Sequence, residues 1–264
     1  MSSPHDQRAT SGDPAPPPLI TVVMGVLNGA HLIERALDSV RAQTLVRKEL
    51  VIWDGGSTDG TVDILRRRSD EIAFWTSAPD AGLYDAWNKA LPHCRGEYVG
   101  FIGCDDVFAT PHALERLAEG AETAGHPDLV CSLNVLVNDE GGYLRSIGAP
   151  WNWHTMRRSM NLAHACLLHR RDLFDRHGAF AAEYRIGADY DFLLRLGPEA
   201  RAAFVEQITV RVGANGMSHR LWTRTFREHW HLQARSPHVG PLMAARNLAG
   251  NVARYGYRKL RGRR

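Results

Sequence analysis

Carboxylates dominate the side chains of this sequence that could do chemistry, and they recur at comparable places along it. Asp54 follows the apolar run Leu50–Trp53, Asp80 precedes the segment DAGLYDAWNK, and Asp105-Asp106 ends the apolar run YVGFIG. Carboxylate oxygens suit hard cations such as Mg²⁺ or Mn²⁺, which keep part of their water shell and bridge to substrate phosphates. Two adjacent acids do not hold a metal alone. Either could instead cap a helix expected near Pro111, because Asp is a favoured cap and turn residue. The acids at the two other strand ends tilt the balance toward a ligand site. DGGSTDGT has the look of a phosphate loop but lacks both the GK[ST] of a Walker motif and the spacing of GxGxxG. Ser57, Thr58 or Asp59 could equally cap the helix that follows. An acid closing the second strand of a nucleotide-binding α/β sheet can accept hydrogen bonds from base or ribose, which makes Asp54 the better ligand candidate and Asp59 the better structural one.

These acids can act together only if the elements bearing them end along one edge. From Leu19 the run LITVVMGVL is apolar and β-branched, bounded by proline before and Asn28-Gly29 after, as in a buried strand. In HLIERALDSVRAQ, Leu32, Ile33, Ala36, Leu37 and Val40 share one helical face. A second strand, Leu50–Trp53, stops at Asp54-Gly55-Gly56. The alternation continues with helices expected over residues 58–68, 82–91 and 111–121 and strands over 72–75, 98–102 and 129–133. The pattern predicts an α/β fold, a mostly parallel sheet flanked by helices on both faces, with ligands gathered at the carboxyl ends of its strands. Beyond Leu133 the alternation fades. Gly141-Gly142 suggests a hairpin, and residues 151–169, rich in Trp, His, Met and Arg, suit an acceptor-side wall. Trp151 and Trp153 could stack on a ligand or simply pack. Helices return at 189–196, 221–233 and 241–257, with EHWH (228–231) expected on a helix surface.

Composition bounds the possibilities. At 264 residues, 44% hydrophobic and 23% charged, the chain can bury a substantial core. No run approaches the roughly 18 to 20 apolar residues that a membrane-spanning helix requires. The four cysteines stand apart without a CxxC pair, which argues for reduced thiols and against zinc fingers or a disulfide scaffold. None of the 13 histidines forms HExxH. Residues 1–18 hold five of the 13 prolines and lack the basic start and apolar stretch of a secretory signal; they are expected to be a disordered leader. Net charge is +3, but residues 242–264 carry seven Lys or Arg and no acid, so removing those seven leaves −4 on residues 1–241. The basic character therefore belongs to the tail and to whatever surface it meets.

Five segments converge on a family. ITVVMGVLN, VIWDGGSTDGT, SAPDAGLYDAWNKAL, GEYVGFIGCDD and GADYDFLLRL occur in the order and at the spacings of family 2 glycosyltransferases. The chain resembles the small bacterial members that build cell-surface polysaccharides and glycolipids. The resemblance spans about residues 19–216, which is the expected catalytic domain, followed by a C-terminal helical extension at 217–264 with a basic tail. It implies a GT-A fold, a nucleotide-diphosphate sugar donor, a divalent metal (Mg²⁺ or Mn²⁺), a glycan or lipid-linked acceptor and inversion at the anomeric carbon.

Carried over by position, the resemblance puts Asn28 in the donor-side loop and matches Asp54 to the acid that contacts base or ribose. Asp80, Asp85, Asn88 and Lys89 match the nucleotide pocket. Asp105 and Asp106 match the metal-binding pair, with Asp106 as direct ligand and Asp105 nearer ribose or sugar. Gly103-Cys104 departs from the Ser or Ala, often preceded by another acid, found before that pair in many members, which implies a sparse metal shell. Asp189 matches the general base, since attack by an acceptor hydroxyl requires a carboxylate to take its proton; helix capping is the competing role. Asp191, two positions on, is expected to be structural or solvent-facing. His164 matches a histidine that could touch diphosphate or acceptor, or be a buried structural residue.

Two rivals remain in view. A sugar-phosphate nucleotidyltransferase would carry a glycine-rich loop with Arg and Lys directly after the first strand, where this chain has GVLNGAHLIERAL. A non-catalytic module binding nucleic acid or membrane would account for the basic tail but leave the strand-end acids unexplained, because carboxylates repel phosphate unless a metal intervenes. No nucleic-acid partner is expected. The protein is expected in the cytoplasm, peripheral at the inner face of the membrane if an anionic surface attracts Leu242, Ala245, Leu248, Ala249, Val252, Tyr255 and the basic residues among and after them.

Overall fold

A computed structural model describes residues 16–138, 140–213 and 221–261. Of the leader expected over 1–18, residues 1–15 lie outside that range, as do residues 262–264 of the basic tail. The chain opens as expected, with strand β1 (Ile20–Val26), helix α1 (Ile33–Arg41), strand β2 (Lys48–Asp54), helix α2 (Thr61–Arg67) and strand β3 (Phe74–Ser77). Helix α3 (Leu83–Ala90), β4 (Tyr98–Gly103), the two-residue β5 (Val107–Phe108), α4 (Ala113–Thr123) and β6 (Leu129–Val137) follow. Then come β7 (Tyr143–Ile147), α5 (Trp153–Met156), β8 (Leu168–Arg170), α6 (Asp172–His177) and α7 (Ala188–Leu196). β9 (Ala202–Gly213), α8 (Trp222–Arg235) and α9 (Gly240–Arg261) complete the described chain.

The strands form one sheet in the order β3-β2-β1-β4-β8-β6-β9-β5, with β7 paired to β6. β3, β2, β1 and β4 run parallel, as do β6 and β9, while β5, β7 and β8 are antiparallel to their neighbours. Period-two alternation divides the core between the two faces. Ile20, Val22 and Met24 of β1 and Ile102 of β4 join the cluster that takes Ile33, Ala36, Leu37 and Val40 from α1. Val23, Val99 and Phe101 join the other, with Trp87, Phe174, Phe180 and Phe192. Each large apolar side chain so buried contributes about 1.5–3 kcal/mol.

The parallel register brings the acids to one edge. Val26 pairs with Asp54, Asp54 with Ser77, and Gly25 with Gly103, so the loops after β1, β2, β3 and β4 leave the sheet side by side. β9, a 12-residue strand pairing parallel with β6, is an addition to the expected pattern. Its middle stretch VEQITVR mixes one acid, one basic residue and two neutral polar residues among apolar ones, so no clean alternation marks it. The Gly141-Gly142 hairpin forms as expected between β6 and β7, with Gly141 at φ 80°.

The last two helices dock on the sheet domain. Gln233 of α8 donates to the Tyr190 hydroxyl (2.8 Å), and Asn247 of α9 donates to Arg157 O (3.0 Å) and Gln233 Oε1 (2.9 Å). Ala244 is fully buried, whereas Leu242 and Val252 are 87% and 48% exposed.

Candidate active site

The loops after β1 and β2 are laced together. Asn28, at φ 51°, donates its N–H to Ser57 Oγ (2.7 Å) and accepts at Oδ1 from Thr58 N (2.9 Å). Ala30 N donates to Asp59 Oδ2 (2.9 Å), while Asp59 Oδ1 accepts from Thr61 N and Oγ1. Asp59 is therefore bound up in holding the loop. Asp54 is fully buried and is itself heavily bonded: Oδ2 accepts from Gly56 N (3.1 Å), Ser57 N (2.9 Å) and Ser77 Oγ (2.6 Å), and Oδ1 accepts from Ser57 Oγ. It organises the loop after β2. Asp80 lies close against the next residue, Gly55, which has no side chain; a Cβ there would come within 2.5 Å of Asp80 Oδ2.

The remaining matched residues of α3 are engaged with protein groups. Asp85 accepts from Ala81 N (2.8 Å) and pairs with Lys89 (2.8 Å), which also donates to Pro79 O (3.0 Å) and lies over the Trp53 ring. Asn88 bridges to the Phe180 backbone through both amide atoms, at 2.8 and 2.9 Å. These residues tie α3 to the neighbouring loops, so Asp54 and Asp80 converge at the strand edge while Asp85, Asn88 and Lys89 support them from the helix.

Asp105 and Asp106 turn back over Gly103, where any Cβ would run into Asp105. Asp106 accepts from Gly103 N (2.8 Å), and α4 is capped by His112 without a side-chain bond, so neither acid serves as its cap. Burial first, then the adjacent Asp105, pushes the Asp106 carboxyl up to about 8, with nothing basic among the described residues to offset it. Crowded carboxylates of this kind fit a divalent cation. Among the described residues no third His, Cys, Asp or Glu joins them, and two protein ligands suit Mg²⁺ or Mn²⁺ completed by water and a diphosphate.

Asp189 lies in the first turn of α7, but the cap is Gly187, which has no side chain. Asp189 Oδ1 instead accepts from the Tyr84 hydroxyl (3.0 Å) and Tyr190 N (2.8 Å), and burial raises its pKa against those two bonds. It borders a cleft of about 820 Å³ that His164, Asn161, His229, Arg145 and Arg254 also line. Val212 lines the same cleft, and its neighbour Gly213 lies against Asp105, 3.4 Å from where a Cβ would stand. The cleft thus abuts the acid pair. His164 stacks near Trp87, with ring centroids 5.5 Å apart; burial lowers its pKa to about 4, and its Nε2 has no protein partner. Asp191 pairs with Arg195 (2.9 Å), outside the residues lining this cleft.

The family described as Glycosyl transferase family 2 matches residues 21–177, more than half of the chain. The chain belongs to glycosyl transferase family 2. Among relatives of this glycosyltransferase is the PGL/p-HBAD biosynthesis glycosyltransferase of Mycobacterium tuberculosis, 29% identical over 181 residues that cover 67% of this chain and 69% of the relative. Chondroitin synthase of Pasteurella multocida is 26% identical over 200 residues, 72% of this chain but 20% of that much longer protein. The fold is GT-A. TarS of S. aureus superposes with TM-score 0.67 at 16% identity, covering 89% of this chain and 43% of TarS, so this chain spans less than half of that protein. The mannosyltransferase PcManGT of Pyrobaculum calidifontis, in complex with GDP-Man and Mn²⁺, gives TM-score 0.59 at 21% identity, covering 91% and 77%.

Some residues around Asp189 in this family 2 chain are not evident in sequence. Glu228, expected on a helix surface, is buried and accepts from Arg185 N (3.2 Å), Ile186 N (2.8 Å) and Gly187 N (3.1 Å) while pairing with Arg224 (2.6 Å). It holds the turn that leads into α7. His229 beside it lines the cleft, its ring centroid 4.8 Å from that of Tyr190. An acid four residues after an arginine was the sole signal for Glu228, and that pattern is common on solvated helices. Tyr84 lies within the DAGLYDAWNK segment, but its bond spans 105 residues.

Proposed function

We propose that this protein is an inverting, metal-assisted glycosyltransferase that moves a sugar from a nucleotide-diphosphate donor to a hydroxyl of a glycan or glycolipid. Residues 19–216 would form its catalytic unit and residues 217–264 a helical extension. The observation that carries the reading is the Asp189 carboxylate, bordering a large cleft, tied to Tyr84 and Tyr190, and raised in basicity by burial.

Asp189 accepts the proton of the acceptor hydroxyl as that oxygen attacks the anomeric carbon from the side opposite the diphosphate. The carbon–oxygen bond to the diphosphate breaks as the new glycosidic bond forms, and its electron pair leaves with the nucleotide. Asp54 and Asp80 shape the loop that receives base and ribose, with Asn28 fastening it; Asp85, Asn88 and Lys89 brace its helix. Asp106, with Asp105 beside it, would hold Mg²⁺ or Mn²⁺. When bound, the cation offsets negative charge growing on the leaving diphosphate. His164, neutral at working pH, is a hydrogen-bonding partner for acceptor or sugar. Neighbours solved with UDP, UDP-GlcNAc or GDP-Man support a nucleotide-sugar donor.

The exposed apolar face of α9 (Leu242, Ala245, Ala249, Val252) and its Arg246 and Arg254 support attachment at an anionic membrane surface on the cytoplasmic side. No described helix is long and apolar enough to cross a membrane.

The direct test is a thermal-shift panel of UDP-, GDP- and dTDP-sugars with and without Mn²⁺, followed by NMR of the product. A donor at one hundred times its dissociation constant should add about 2.7 kcal/mol to stability, and the product should carry the anomeric configuration opposite to the donor. Retention of configuration, or stabilisation by no nucleotide-sugar, would overturn the reading.

A further inference from the structure

Two guanidinium groups border the Asp189 cleft from opposite parts of the chain, Arg145 on β7 and Arg254 on α9. Both residues are exposed, and among the described residues neither has an acidic partner. Arg254 is steadied through a neutral group, donating to Asn251 Oδ1 at 2.5 Å. Asp189 is the one carboxylate bordering the cleft among the described residues. The two histidines there add no positive charge near neutral pH, because burial lowers the pKa of both His164 and His229. Among the described residues, cationic pull at this cleft therefore rests on the two arginines. Apolar side chains lining the same cleft, Ile147, Met160 and Leu162, offer contact for the uncharged part of a ligand.

We propose that Arg145 and Arg254 form an anion clamp at the acceptor cleft, selecting acceptors that carry a phosphate ester beyond the sugar hydroxyl that reacts. The proposal rests on reading the Asp189 cleft as the acceptor side of a glycosyltransferase. A phosphate group presents three oxygens and close to two negative charges at neutral pH, enough to engage two planar guanidinium forks, whereas one fork saturates a carboxylate. Arg254 also lies beside the exposed apolar residues of α9.

Three probes that share a phenyl group and differ in charge test this: phenyl phosphate, phenyl β-D-glucuronide and phenyl β-D-glucoside. Each is titrated calorimetrically into the full-length protein in EDTA, which keeps a cation from drawing phosphate to the acid pair. Phenyl phosphate is expected to bind about 10-fold tighter than the glucoside, and Arg145→Gln and Arg254→Gln each to weaken it by about 10-fold while leaving the glucoside unchanged. Raising salt should weaken phenyl phosphate alone. Equal binding of all three probes, tighter binding of the glucuronide than of the phosphate, or indifference to both substitutions would overturn the clamp. Failure of the clamp leaves donor turnover intact, whereas failure of the glycosyltransferase reading removes it, so a parallel assay of nucleotide release from the donor tells the two apart. Unchanged melting temperatures of the variants confirm that the exposed substitutions leave the fold whole.

Discussion

At the scale of single residues, the two acids assigned the chemistry have contrasting surroundings and should titrate differently. Asp189 must be ionised to take a proton, and burial raises its pKa. Transfer should fall as pH drops through a value above the ordinary carboxylate range. Tyr84→Phe removes a donor that favours the ionised form, so the acid limb of the pH–rate profile should move to higher pH. Asp189→Asn should cut turnover by about 100-fold or more with donor affinity kept; unchanged turnover in that variant would exclude it as the base. Asp106, raised to about 8 without metal, is favoured in its protonated form by the folded state. Its stabilising contribution is therefore full below the unfolded carboxylate range and lost as pH rises through about 8. In chelator, the melting temperature of wild type should drop more between pH 6 and pH 9 than that of Asp106→Asn. Mn²⁺ should reverse the drop and bind more tightly as pH rises through 8, because proton and cation compete.

At the scale of elements, the position of Asp189 depends on a contact between α8 and the start of α7. Three backbone N–H groups, at Arg185, Ile186 and Gly187, converge on the Glu228 carboxylate, and Ile186 O accepts from Tyr84 (2.6 Å). A helix lacking a side-chain cap of its own thus takes its cap from a helix more than 40 residues away. Glu228→Gln keeps the shape but loses the ion pair to Arg224 and one acceptor, and is expected to cost about 1–3 kcal/mol in urea denaturation with an unchanged m-value. Turnover should fall in the same variant while donor affinity holds, since the donor loop is held by Asn28, Ser57 and Asp59 and not by α8. Loss of stability without loss of turnover would confine Glu228 to a purely structural part.

At the scale of the whole molecule, the C-terminal helices do more than trail from the sheet. α8 supplies His229 and α9 supplies Asn251 and Arg254 to the cleft wall, while the opposite side of α9 leaves Leu242, 87% exposed, facing outward. One helix therefore walls the Asp189 cleft on one side and offers an apolar, arginine-flanked surface on the other. Leu242→Glu with Val252→Glu should abolish pelleting with vesicles containing anionic lipid at low salt and leave transfer to a short water-soluble acceptor unchanged. Equal pelleting of wild type and double variant would remove the membrane from the account.

Much of this molecule was legible as sequence because its first half obeys local rules. Apolar runs of β1, β2 and β4 end in turn residues, α1 has a one-sided apolar face, and acids follow strand after strand, so period and punctuation alone led to a parallel sheet with carboxylates along one edge. The family 2 segments carried the expectation to Asp189. What sequence left open were matters of distance. Whether Asp189 capped its helix or reached Tyr84, and whether Glu228 faced solvent, could not be read from neighbours along the chain, because each answer depends on groups tens of residues away. β9 escaped notice because register shifts against β6 and the run of exposed Glu206, Gln207 and Ile208 before buried Thr209 and Val210 erase its alternation. The tertiary structure decided that Gly187, not Asp189, caps the start of α7. It also brought Tyr84, His164, Asp189, His229, Arg145 and Arg254 together from six separate elements and loops, since a cleft wall is assembled by packing and no local periodicity encodes it.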